Sequence, residues 1–173
     1  MSLFWRRFLV AGIWIVAAIV IQNVILSQLP LPGATPDLLL VLVVGWAMTK
    51  GSLEGVIVGF VAGLMLDIIP PAVGTVGVWP LILAVVGYFV GLAADDGQRS
   101  AITPLVIVAL ASVASMGAYL SMSILLGTSP MTSASEIIGQ LFTQGLYAVA
   151  LALAVLPALS LSIRRIEPTS PRW

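Results

Sequence analysis

Long apolar runs alternate with short polar clusters along this chain, and each cluster carries helix-stop or helix-start residues. The first run, Phe8 to Leu29, is long enough to cross a hydrocarbon core of about 30 Å at about 1.5 Å per helical residue. It breaks at Pro30-Leu31-Pro32-Gly33, after which Thr35, Pro36 and Asp37 read as N-cap, first-turn proline and an acid on the positive end of the helix dipole. A short second run ends at Lys50-Gly51, a cationic last turn followed by a terminating glycine. Ser52 is placed to cap a third helix with Glu54 in its first turn, ending at Ile69 before Pro70-Pro71. A fourth run, Val76 to Leu92, carries Trp79-Pro80 near its start and leads to Asp95-Asp96-Gly97. Thr103-Pro104 opens a fifth that reaches Leu126, and the capping box Ser133 to Glu136 opens a sixth, which Pro157 should kink. The pattern predicts an all-α, six-transmembrane-helix bundle in one multi-pass domain, with spans 8–29, 36–49, 53–69, 76–92, 103–126 and 136–163 and a polar tail 164–173.

Composition makes the bilayer the solvent. Of 173 residues, 60% are apolar and 8% charged, against about 25% charged in soluble domains. Seven basic and seven acidic side chains cannot cover a water-facing surface of this size. Arg6 and Arg7 before an apolar run have the outline of a signal peptide. The run exceeds an h-region of about 7–15 residues and no A-x-A-like site follows, so it reads as a retained span.

Charge position then sets the topology. With six spans starting inside, Arg6, Arg7, Lys50, Arg99, Arg164, Arg165 and Arg172 all fall on the cytoplasmic side, and both termini are cytoplasmic. A re-entrant hairpin made of the second and third helices would instead strand Lys50 at membrane depth, at a cost of about 2.5–3.5 kcal/mol.

The inventory of reactive groups is small. The chain has no cysteine and no histidine, which removes thiolate nucleophiles, imidazole bases and the usual zinc ligands. No nucleophile with a base, carboxylate pair in a cleft or phosphate-cradling loop is legible, and Asp95-Asp96 reads as a solvated turn. The expectation is a non-enzyme with no catalytic residues, no metal and no cofactor. Seven scattered basic residues also argue against nucleic acid as a partner.

Small residues form the most regular feature. Gly55, Gly59 and Gly63 recur every four residues on one face of the third helix, and Gly87 and Gly91 repeat the spacing in the fourth. In lipid such stripes let helix backbones approach, either inside the bundle or against a partner. Asp67 continues the first stripe near the negative end of its helix, either as a solvated boundary residue or hydrogen-bonded to a helix start near Thr75 or Gly77, or to a partner.

Taken together, Pro36-Asp37 before three leucines, the Lys50-Gly51 turn, Gly55-x-x-x-Gly59-Phe60-x-x-Gly63-Leu64-x-x-Asp67 and Gly87-Tyr88-x-x-Gly91 resemble the rod shape-determining MreD family. The resemblance is concentrated in residues 36–92 and carries over Pro36, Asp37, Gly55, Gly59, Gly63, Asp67, Gly87 and Gly91 as pattern residues. One departure is Lys50, alone at a hairpin where members of the family often have two cations. The resemblance implies a non-catalytic scaffold of the bacterial cell-elongation machinery, in the cytoplasmic membrane. It also implies an MreC-like bitopic partner and, through it, RodA and a class B penicillin-binding protein. The implied fold is similar to the membrane substrate-binding component of energy-coupling-factor transporters. That similarity supplies the competing expectation of a solute-binding protein, for which Gln22, Asn23, Thr143, Gln144 and Tyr147 are the available polar groups at membrane depth.

Overall fold

The computed structural model describes residues 3–28, 36–69, 76–94, 102–128 and 133–166. The breaks at Pro30–Gly33 and Pro70-Pro71, the Thr35 cap, Thr75, the Asp95-Asp96 link, Arg99 and the tail beyond Ile166 lie outside these residues. Six α-helices follow one another: α1 Leu3–Val24, α2 Leu38–Lys50, α3 Ser52–Ile68, α4 Val78–Ala93, α5 Thr103–Leu125 and α6 Ala134–Ile166. Three of them, over Trp5–Val24, Thr103–Leu125 and Ser135–Arg165, are long and apolar enough to cross a membrane, and α2 and α4 are shorter apolar helices.

Several boundaries differ from expectation because hydrophobicity does not decide where backbone bonding stops. α1 begins at Leu3 rather than Phe8, taking Arg6 and Arg7 into its first turns, and closes in a 3-10 turn at Leu26–Gln28 instead of running to Leu29. Asp37 is itself the N-cap of α2, its carboxylate accepting from Leu40 N–H, so Pro36 precedes the cap instead of opening the helix. Gly51, at φ 86°, ends α2 and serves as N-cap of α3, leaving Ser52 as the first helical residue. A side chain there would strain the turn. α4 starts at Val78 because Gly77 is left-handed. α6 runs on through Pro157 to Ile166, so Arg164 and Arg165 form its last turn rather than a tail.

The helices alternate in direction. Leu38 N–H, at the start of α2, donates to Gln22 near the end of α1, while Glu54, just beyond the end of α2, pairs with Arg7 near the start of α1. The Gly51 turn reverses α2 into α3. Along α3 and α4, Gly63 lies against Pro80 at one end and Ser52 against Gly91 at the other. Trp79 near the start of α4 stacks on Tyr119 near the end of α5, and α6 packs alongside α5, with the Ser112 hydroxyl on the Gln144 carbonyl. The starts of α1, α3 and α5 and the ends of α2, α4 and α6 therefore share one end of the bundle. Among the described residues, every basic side chain (Arg6, Arg7, Lys50, Arg164, Arg165) is at that end, and three acids (Asp37, Asp67, Glu136) are at the other.

α2 is the axis. Every residue from Leu38 to Met48 is buried, and α2 touches each of the other five helices. At 13 residues it is about 20 Å long, short for a span. Its start at Pro36 and Asp37 is buried, whereas Thr49 is exposed and Lys50 half-buried at its end. The outer faces are apolar, with Leu9, Ile13, Phe60, Phe89, Leu110 and Leu153 exposed, while Ser112, Ser115 and Gln144 are buried. An outer face as apolar as the core is what a hydrocarbon solvent selects.

Candidate functional site

The glycine stripes of α3 and α4 face each other. A Cβ built on Gly55 would lie 2.5 Å from the carbonyl oxygen of Gly87, and one built on Gly87 would strike the Gly55 carbonyl in return. A Cβ on Gly59 would collide with the Leu83 carbonyl oxygen and sit 2.7 Å from its carbon; one on Gly63 would sit 2.5 Å from Pro80 Cα. Gly91 lies against the backbone of Ser52. All of the obstructing atoms but one are main chain, so they cannot rotate away as side chains can; Gly55 also meets Ala47 Cβ of α2. The two stripes are halves of one backbone-to-backbone seam, the arrangement that van der Waals packing favours where lipid offers no hydrophobic driving force.

Asp67 closes the end of that seam opposite the basic residues. The Gly77 N–H donates to Asp67 Oδ2 at 2.6 Å. The carboxylate stands in the last turn of α3, an unfavourable place by the dipole of that helix, but it meets the first turn of α4, whose dipole attracts it. Asn offers the same acceptor and leucine offers none. Asp67→Asn keeps the acceptor and loses only the charge, so it should be more stable than Asp67→Leu, which should lose about 1 kcal/mol, the usual net worth of such a bond. Thermal unfolding of the two variants in detergent checks this. Equal stability of both would show the contact to be idle.

The start of α2 is capped by side chains. Gln22 Oε1 accepts from Leu38 N–H at 3.0 Å and Leu39 N–H at 3.3 Å, and Asp37 Oδ1 accepts from Leu40 N–H at 3.0 Å. The Asp37 carbonyl takes the Val41 N–H at 3.4 Å, the first bond within the helix. Three of the four N–H groups that a helix start leaves open are thus satisfied by side chains, as a buried start requires. Gln22, a polar residue available for a solute pocket on sequence grounds, uses its carbonyl as a cap. Thr143 likewise bonds back to Gly139 and Gln140 in its own helix, and Gln144 accepts the Ser112 hydroxyl through its main chain.

At the opposite end, Arg7 Nη1 donates to Glu54 Oε1 at 2.8 Å and the Trp46 indole N–H donates to Glu54 Oε2 at 3.3 Å. One carboxylate therefore ties α1, α2 and α3 together beside the Gly51 turn. By its place in the sequence Glu54 is only a first-turn acid. The available signal was that Arg7 and Glu54 must share an end once the helices alternate.

A lateral apolar groove of about 610 Å³ separates α4 from α5, walled by Leu81, Val85 and Phe89 on one side and Leu110, Ala114 and Ala118 on the other. Among the described residues, no group of three or more His, Cys, Asp or Glu side chains could hold a metal.

Compared with known proteins, residues 3–163 match the family model described as rod shape-determining protein MreD. No curated protein and no solved structure matches the chain.

Proposed function

Because the chain belongs to the rod shape-determining MreD family, and is thereby a multi-pass protein of the cytoplasmic membrane with a role in the rod-shape system, we propose that it acts as a scaffold binding an MreC-like bitopic protein. Through that partner it would act on RodA and a class B penicillin-binding protein. The family match over residues 3–163 carries this reading. The bundle is in keeping with it, because among the described residues its centre is filled by the buried side chains of α2 from Leu38 to Met48. The competing reading, a solute-binding component of an energy-coupling-factor type transporter, needs a polar pocket in that place.

The glycine seam and the Asp67 contact are proposed as internal supports, holding α3 and α4 as one rigid pair. The partner would then engage the exposed apolar faces of the bundle. Affinity purification of the tagged chain from its own membranes in mild detergent tests the reading, with protein and small-molecule mass spectrometry of the same eluate. A bitopic protein with a large extracytoplasmic domain is expected in near-stoichiometric amount. Recovery of a stoichiometric solute and no such protein would reverse the assignment.

A further inference from the structure

The helices of the bundle are not equally tall. α3 and α4 have 17 and 16 residues, and at about 1.5 Å per residue each is about 24–26 Å long. α1, α5 and α6 have 22, 23 and 33 residues, so each is about 33 Å or longer. The other short helix, α2, is buried in the centre, where its length makes no demand on lipid. α3 and α4 differ because they form one wall of the ring around it: α3 packs on α4, α4 on α5, α5 on α6, α6 on α1, and α1 touches α3. Phe60, Val61 and Met65 of α3 and Tyr88, Phe89 and Leu92 of α4 are exposed on that wall.

Polar groups fix both edges of the wall. At one edge Asp67 of α3 takes the Gly77 N–H ahead of α4 in an exposed contact, and a carboxylate there belongs in the interface rather than in hydrocarbon. At the other, the Lys50-Gly51 turn leads into α3, and the Arg7–Glu54 pair lies at its first turn. Tilting cannot add height, since it only shortens the span that a helix covers. Gly63 against Pro80 and Ser52 against Gly91 keep the two helices in register, so neither can slide to lengthen the pair. A hydrocarbon core of about 30 Å is therefore about 5 Å too thick for this wall. α5 matches such a core, and α6, which touches neither α3 nor α4 among the described residues, is longer still. We propose that the α3–α4 wall thins the bilayer beside it and gathers phospholipids with short acyl chains, whereas the α6 side does not. Thinning is one of the ways in which a membrane accommodates a hydrophobic segment shorter than itself, at a modest cost per ångström. The lengths of α3 and α4 carry this independently of the partner assigned above.

Covering the wall with a second copy of the chain would relieve the same mismatch, and the two cases separate by experiment. The chain has no cysteine, so single cysteines can carry a bimane fluorophore at Phe60 and Tyr88 on the short wall and at Leu146 and Leu153 on α6, positions at which all four side chains are exposed. Each purified full-length protein is reconstituted in vesicles of equal parts dimyristoleoyl and dierucoyl phosphatidylcholine, with an acyl-chain nitroxide quencher on one lipid and then on the other. Beside Phe60→Cys and Tyr88→Cys the short lipid should exceed its bulk share about twofold, and beside Leu146→Cys and Leu153→Cys it should not. Should a labelled wall variant fail to fold, Val61→Cys on α3 or Leu92→Cys on α4 takes its place. Equal shares of the short lipid at both faces would overturn the proposal. So would the loss of quenching by either lipid at the wall positions alone, which would show that another copy covers them.

Discussion

Gly59→Leu should leave almost no folded chain in detergent, and Gly59→Ala should already be less stable than the parent. At this position the first added carbon meets the Leu83 carbonyl group and, at 3.1 Å, the Ala84 nitrogen, all of them backbone within α4. Relief requires α3 and α4 to part along their whole seam, because Gly55 against Gly87 and Gly63 against Pro80 hold the same spacing on either side. Overpacking of interiors costs about 1–3 kcal/mol where neighbours can adjust, and a helix backbone adjusts less than a side chain. Alanine should fall in that range and leucine beyond it. Gly139 is the internal control: it lies in α6, is exposed, and has nothing within 4 Å of an added Cβ. Gly139→Leu should match the parent in yield and Tm, since leucine is also the better helix former. Size-exclusion profiles and thermal unfolding of the four proteins decide the matter. A monodisperse Gly59→Leu protein with parental Tm would mean that the seam contributes nothing to the fold.

The sequence and the structure meet unevenly along the chain. Helix number was readable because each apolar run is fenced by Pro, Gly or a capping residue. Helix ends were less so: Asp37 could serve equally as a first-turn acid or as the cap, and only the backbone conformation separates the two. The glycine spacing announced a close approach without naming its partner, since a stripe at every fourth residue looks the same whether its counterpart is α4 or another protein. The counterpart, Gly87 and Gly91, was visible as a second stripe, and what sequence could not supply was the antiparallel register that opposes Gly55 to Gly87. The Asp67 alternatives included the helix start at Gly77, the contact now seen, because a carboxylate at a negative helix end needs compensation from a nearby donor. The least legible element was the central position of α2. Its uniform hydrophobicity suits a lipid-facing helix and a buried one equally, and only the three-dimensional neighbours of Leu39, Val43 and Trp46 distinguish them. Gln22 is legible in the sequence only as a polar group at membrane depth, since its carbonyl has a use only once the start of α2 is known to lie beside it.

If the six alternating helices turn their basic end to the cytoplasm, as the positive-inside rule predicts, accessibility of single cysteines reads that arrangement directly. The chain has no native cysteine, so each introduced thiol reports alone. Leu53 and Ile102 are exposed at the basic end of the bundle, and Val76 and Thr128 are exposed at the opposite end. All four are suitable for replacement because none is packed in the core. The positive-inside rule assigns the end with Arg6, Arg7, Lys50, Arg164 and Arg165 to the cytoplasm. In intact cells whose outer barrier admits the reagent, a membrane-impermeant maleimide should label Val76→Cys and Thr128→Cys almost completely, and Leu53→Cys and Ile102→Cys only after the cytoplasmic membrane is permeabilised. Labelling of Leu53→Cys in intact cells, or its protection even after permeabilisation, would place the Gly51 turn outside or within the bilayer and contradict the account.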